Sequence, residues 1–139
     1  MRLAAFSVWA VAGMATALAQ PAANVSVCEL EHTPAVYSGQ TVAVRANVVG
    51  RSPITIFDYE ATGCTRQLLV IQPENKQHGL VLDRDETFMR FQRALSQRTR
   101  ITAIFTGRFE YPTGRRRGMR LVLQRISELS VVAVPSVDR

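Results

Sequence analysis

The spacing of apolar positions changes repeatedly along the chain, and each change marks an element. Leu3 to Leu18 is apolar or small throughout, apart from Ser7 and Thr16, and shows no period. Pro21 to Val25 reads as a short lead-in. Ser26 then stands before Val27-Cys28-Glu29-Leu30-Glu31-His32 as an N-cap, with Glu29 three residues on completing a capping box, which predicts a short helical turn. The turn ends at Thr33-Pro34, because a residue before proline is pushed out of the α region, and Tyr37-Ser38-Gly39-Gln40 reads as a turn. From Thr41 the period is two. Val42, Val44, Ala46 and Val48 face one way and Ala43, Arg45 and Asn47 the other, as in a half-buried strand. Gly50-Arg51-Ser52-Pro53 breaks it. Ile54 to Tyr59, rich in β-branched and aromatic residues, predicts a second strand. Ala61-Thr62-Gly63-Cys64 is a loop, and Gln67 to Ile71 a third strand closing a meander.

Gln72 to Gly79 is polar and broken by Pro73 and Gly79, hence a loop. Beyond it the spacing becomes helical: Phe88, Phe91 and Leu95 share a stripe, while Arg90 and Arg93 lie off it. Asp83, Asp85 and Glu86 sit where negative charge complements the helix dipole, so a helix is expected from Asp85 to Ser96. Arg100 to Tyr111 alternates again, with Ile101, Ala103, Phe105, Phe109 and Tyr111 on one side. Pro112 to Gly118 is a turn-rich loop, Met119 to Ile126 a fifth strand, and the residues from Pro135 frayed. The class expected is all-β with one helix. Three strands, a helix and two strands is the element order of the OB-fold, a five-stranded, partly open Greek-key barrel, with the helix between strands three and four.

Particular residues carry a resemblance as well. Val27-Cys28-Glu29-Leu30, Pro34, Tyr37, Gly39 and Thr41-Val42-Ala43-Val44-Arg45 resemble the opening of small exported bacterial OB-fold-like proteins. Thr106-Gly107-Arg108-Phe109 and Leu121-Val122-Leu123-Gln124-Arg125-Ile126-Ser127 resemble that group's later strands. The resemblance covers most of the chain after the leader. It implies the architecture, a signal peptide and a Cys28 to Cys64 bridge, and it supplies no catalytic residue and no ligand. The Arg115 to Arg117 loop departs from the group's pattern.

The amino terminus adds a destination. Met1 and Arg2 form a short positive region, the apolar run follows, and Ala17-Leu18-Ala19 puts small residues where signal peptidase cleaves, so residues 1–19 read as a secretory signal. The run is about sixteen residues, short of the roughly twenty that span a bilayer as a helix, so no membrane anchor is expected. No cysteine follows the cleavage site to take a lipid. Removing nineteen of 139 residues leaves one domain, 20–139, periplasmic or secreted.

Charge and cysteines narrow the chemistry. Lys+Arg number 17 against 11 Asp+Glu, a net +6, and only Lys76 is lysine. The surface is basic, and guanidinium groups bind anions better than ammonium groups do. Two cysteines in an exported chain point to one disulfide. The rival is a tetrahedral zinc set of Cys28, His32, Cys64 and His78, although these spacings are not the short pairs of structural zinc modules.

Gly-x-Ser-x-Gly, His-Glu-x-x-His, a phosphate-binding Gly-rich loop with Lys, and Cys-x-x-Cys are all absent from the sequence. Asp58 and Glu60 share a strand face, but a solvated strand end explains them. No cofactor is expected. OB-folds bind ligands across strands two and three and through the loops joining strands one to two and four to five. Those places hold Arg51 in the first loop, Arg115, Arg116 and Arg117 in the second, and Phe57 and Tyr59 as a stacking surface. With Arg51 on the same edge, the two loops would make one basic mouth. The expected function is a non-enzymatic binding module for an anionic envelope polymer or an acidic protein partner, export arguing against nucleic acid. The alternatives are a metal-dependent, nuclease-like hydrolase and a structural part of an envelope assembly. Against all of these stands the plainer reading, a solvated basic run in a loop and aromatics that belong to the core.

Overall fold

In the computed structural model, residues 21–58, 63–74, 80–111 and 118–135 are described. Residues 1–19, expected to be a secretory signal, and Tyr59, Glu60, His78 and Arg115 to Arg117 lie outside them. The chain order is β1 (Ala23–Val25), α1 (Val27–His32), α2 (Pro34–Tyr37), β2 (Thr41–Arg51), β3 (Ile54–Phe57), β4 (Leu68–Ile71), α3 (Glu86–Leu95), β5 (Thr99–Glu110) and β6 (Arg120–Ala133). The protein is mostly β, with one six-stranded sheet and three helices among the described residues.

Each long element forms where its period changes. Ser26 caps α1, its Oγ accepting from Glu29 N at 3.0 Å. The Thr33-Pro34 step ends α1, but Pro34 then occupies the first turn of α2, where its missing N–H costs nothing, so a second helical turn precedes the expected Tyr37–Gln40 turn, in which Gln40 N donates to Tyr37 O at 2.9 Å. Gly39 follows with φ +82°, a backbone region that favours glycine, and its N–H donates to Phe109 O at 2.8 Å. Val42, Val44 and Ala46 on β2 are buried as the alternation requires, and Val48 is half-buried. A two-residue turn, Ser52-Pro53, with a cis peptide, links β2 to β3.

α3 lies where the sequence puts it. Asp85 caps it by accepting from Phe88 N at 2.9 Å; Phe88, Phe91 and Ala94 are buried and Leu95 is partly so. Phe91 meets Phe105 of β5 edge to face, ring centroids 5.8 Å apart. This contact seats the helix on the same core as the strands. No helix among the described residues is long and apolar enough to cross a membrane.

The strand order is β1-β2-β3-β4-β6-β5, with a further pairing of β2 to β5. β2, β3 and β4 form the antiparallel meander that was expected. β4 pairs with β6 in parallel, β6 with β5 antiparallel, and β5 with β2 antiparallel over Thr41 to Asn47. Five strands thus follow one another as a ring of hydrogen-bonded neighbours. Gly107 lies against the β6 backbone, where a Cβ would stand 2.2 Å from Val122 O, so only glycine fits.

Two strands correct the sequence reading. β1 falls in the segment that reads as a lead-in, because three residues show no period; it pairs in parallel with Val42 to Val44 and buries Val25 alone. β6 runs to Ala133 rather than Ile126. Ile104 faces Ser127 while Thr102 faces Ser130, so β6 carries an extra residue here, and Glu128 takes φ 46°. This is a β-bulge, and an inserted residue shifts the inside–outside alternation by one, which made the strand seem to stop.

Candidate functional site

Arg51, the last residue of β2, donates from Nη1 to Ala94 O, Leu95 O and Gln97 O at 3.0, 2.8 and 2.7 Å, and from Nη2 to Thr99 O at 2.5 Å. The final carbonyls of a helix have no partner within it and carry partial negative charge. Arg51 therefore serves as a cap on α3, joining the β2–β3 turn to the helix end. Whether it shares a basic mouth with Arg115 to Arg117 lies outside the described residues. Arg51 meets Thr99 at the first residue of β5, whereas Glu110 stands at the opposite end of that twelve-residue strand.

At that opposite end the charges are concentrated. Glu110 and Arg120 are register partners on β5 and β6. Glu110 accepts at Oε1 from Arg108 Nε and Nη2, at 3.2 and 2.9 Å, and at Oε2 from Arg120 Nε at 2.6 Å. Partial burial pushes the Glu110 carboxyl up, but the hydrogen bonds from Arg120 and Arg108 and the attraction of both charges outweigh it, holding the pKa below the usual glutamate value. One carboxylate is thus shared by two guanidinium groups at the base of the loop. The sequence singled out the loop and missed this base, because pairing across β5 and β6 depends on register.

On the outer face of the sheet a groove of about 600 Å³ crosses β1, β2, β5 and β6. Asn24, Ser26, Arg45, Asn47, Asp58 and Glu128 line it. Arg45 and Asn47 face outward, as the alternation predicted. Arg45 forms an exposed ion pair with Glu128, and Thr102 Oγ1 donates to Asn47 Oδ1 at 2.6 Å. Phe57 is partly exposed and pairs with Asn47, so this aromatic sits on the outward face beside the groove while its neighbour Ile56 is core. Its expected companion Tyr59 lies outside the described residues.

The third cluster lies beside α1. Cys28 and Cys64 stand at disulfide distance with Cα atoms 5.5 Å apart, within the range a bridge requires. His32, one helical turn after Cys28, places Nε2 3.5 Å from Cys64 Sγ. Glu31 binds the residues just after Cys64: its carboxylate accepts from Thr65 N at 3.1 Å, Thr65 Oγ1 at 3.4 Å and Arg66 N at 3.4 Å. Cys28, His32 and Cys64 thus form a group of three with ligand atoms all within 4.8 Å of one another. No protein-family model matches the chain, and no curated protein or solved structure is significantly similar to it.

Proposed function

We propose that the chain is an exported, OB-fold-like binding module without catalytic activity, taking an anionic polymer or acidic protein partner at the end of the sheet where β5 passes into β6. Residues 1–19 carry the export signal, and the cysteine pair at disulfide distance suits an oxidising compartment. The ring of five paired strands, with α3 between β4 and β5 in the chain, supports a closed barrel of the OB type.

The observation that carries the ligand class is the sharing of Glu110. Between Arg108 and Arg120 the sequence holds five arginines and one acid, and that acid is already bonded to the two outermost arginines. Arg115, Arg116 and Arg117 therefore have no acid within their own segment, and Gly114 and Gly118 flank them. Guanidinium groups make bidentate bonds to phosphate, sulfate and carboxylate. Arg51 contributes nothing here, since it caps α3.

Inorganic polyphosphate serves as the test polyanion. Replacing Arg115, Arg116 and Arg117 together with Ser should weaken binding and flatten its dependence on salt, as fewer counterions are released. Melting should stay close to wild type, because surface substitutions usually change stability by under about 0.5 kcal/mol. If the triple variant binds as tightly as wild type, with the same salt slope, the loop is a solvated charge run and the reading fails.

A further inference from the structure

Independently of the anion-binding end, we infer that Cys28, His32 and Cys64 form a redox-gated site for a thiophilic d10 cation such as Zn2+, closed when the two sulfurs are bonded and open when they are reduced. Cys28 and His32 are four apart on α1, so they project from one face of the helix. Tetrahedral zinc with bonds of about 2.3 Å to sulfur and about 2.0 Å to nitrogen holds a sulfur and a nitrogen roughly 3.5 Å apart. His32 Nε2 and Cys64 Sγ already stand at 3.5 Å. The two sulfurs must move apart, to about 3.8 Å on the same geometry, and Cys28 Sγ already lies within 4.8 Å of the His32 ligand nitrogen.

The site does not depend on the sulfur–sulfur bond for its assembly. Glu31 holds the backbone of Thr65 and Arg66 against α1, immediately after Cys64. Val27 and Leu30 anchor the helix in the core at 1% and 0% exposure. Cys64 is therefore kept beside Cys28 after reduction. His32 is exposed and Cys28 half-buried, so an ion has access from solvent. Three protein ligands leave a fourth position for water.

A dithiol reduces the Cys28–Cys64 bond, delivering two electrons and two protons and itself becoming a disulfide. Zn2+ then displaces the two thiol protons to solvent and accepts lone pairs from two thiolates and from neutral His32 Nε2. In the oxidised protein the sulfur pairs are committed to each other, so no thiolate is offered.

The test titrates the whole protein, reduced and held anaerobically free of added thiol, with Zn2+ against a chromophoric chelator, beside the oxidised protein and a His32→Ala variant. The reduced protein should take up one Zn2+ and the oxidised protein none. His32→Ala, a change at an exposed position, should lower the affinity at least about tenfold, since even residues that only support a ligand are worth that much. Co2+ in place of Zn2+ should give thiolate charge-transfer absorption that Cys64→Ser abolishes. Equal uptake by oxidised and reduced protein overturns the site, as does a His32→Ala variant that binds like wild type. A reduced chain that loses its sheet signal in circular dichroism and binds no Zn2+ overturns it too, because Glu31 then fails to hold the ligands together.

Discussion

The Arg51 guanidinium donates to four carbonyl oxygens at the end of α3 and the start of β5. In the sequence it is one arginine in a turn, free for any ligand; in the fold it ties three elements together. Hydrogen bonds made by charged groups contribute about 1.5–3 kcal/mol each at best, and these carbonyls regain water when the side chain is removed. Arg51→Ala should therefore destabilise the protein by about 1–2 kcal/mol in denaturant unfolding, and leave polyphosphate binding unchanged. A variant that unfolds like wild type but loses polyphosphate would return Arg51 to the ligand site. Residue-level facts divide in a regular way. The Ser26 cap was legible because both partners lie within three residues of each other, whereas Asp85, legible only as a charge at the helix start, turns out to be the cap of α3. The Arg108–Glu110–Arg120 cluster was not legible, because Arg120 reaches Glu110 only through the register of β5 on β6.

Among the elements, α3 was read almost to the residue, since its apolar stripe and acidic start agree with one another. Phe91 has 0% exposure and packs on Phe105, so Phe91→Ala removes a buried ring that links helix to sheet. The cost should be about 3–5 kcal/mol, read as a lower midpoint in urea. A variant that melts within a degree or two of wild type would show that the stripe is not the packing face. The strands were legible in proportion to their regularity. β2 and β5 alternate cleanly and were found within a residue or so at one end or both. β6 was cut short at its bulge, where Glu128 adopts φ 46° and the alternation slips. β1 is too short to show any period, and only the edge of β2 gives it a partner.

For the molecule as a whole, the Cys28–Cys64 pair spans 36 residues and staples α1 to the segment before β4. A closed loop of that length contributes roughly 3 to 4 kcal/mol through the entropy of the unfolded chain. Mass spectrometry of unreduced protein from an oxidising compartment should show a two-proton deficit; two free thiols in that material would sink the bridge. What the sequence determined by itself was local: where helix gives way to strand, which face of each is apolar, and where the caps and turns fall. Those properties follow from spacings of two to four residues and from the backbone limits of proline and glycine. Tertiary structure alone decided the pairing of β2 with β5, the separation of Arg51 from the β5–β6 end, and the meeting of His32 with Cys64. These join residues dozens of positions apart, and their distance in space is set by sheet register and packing, which no local spacing records.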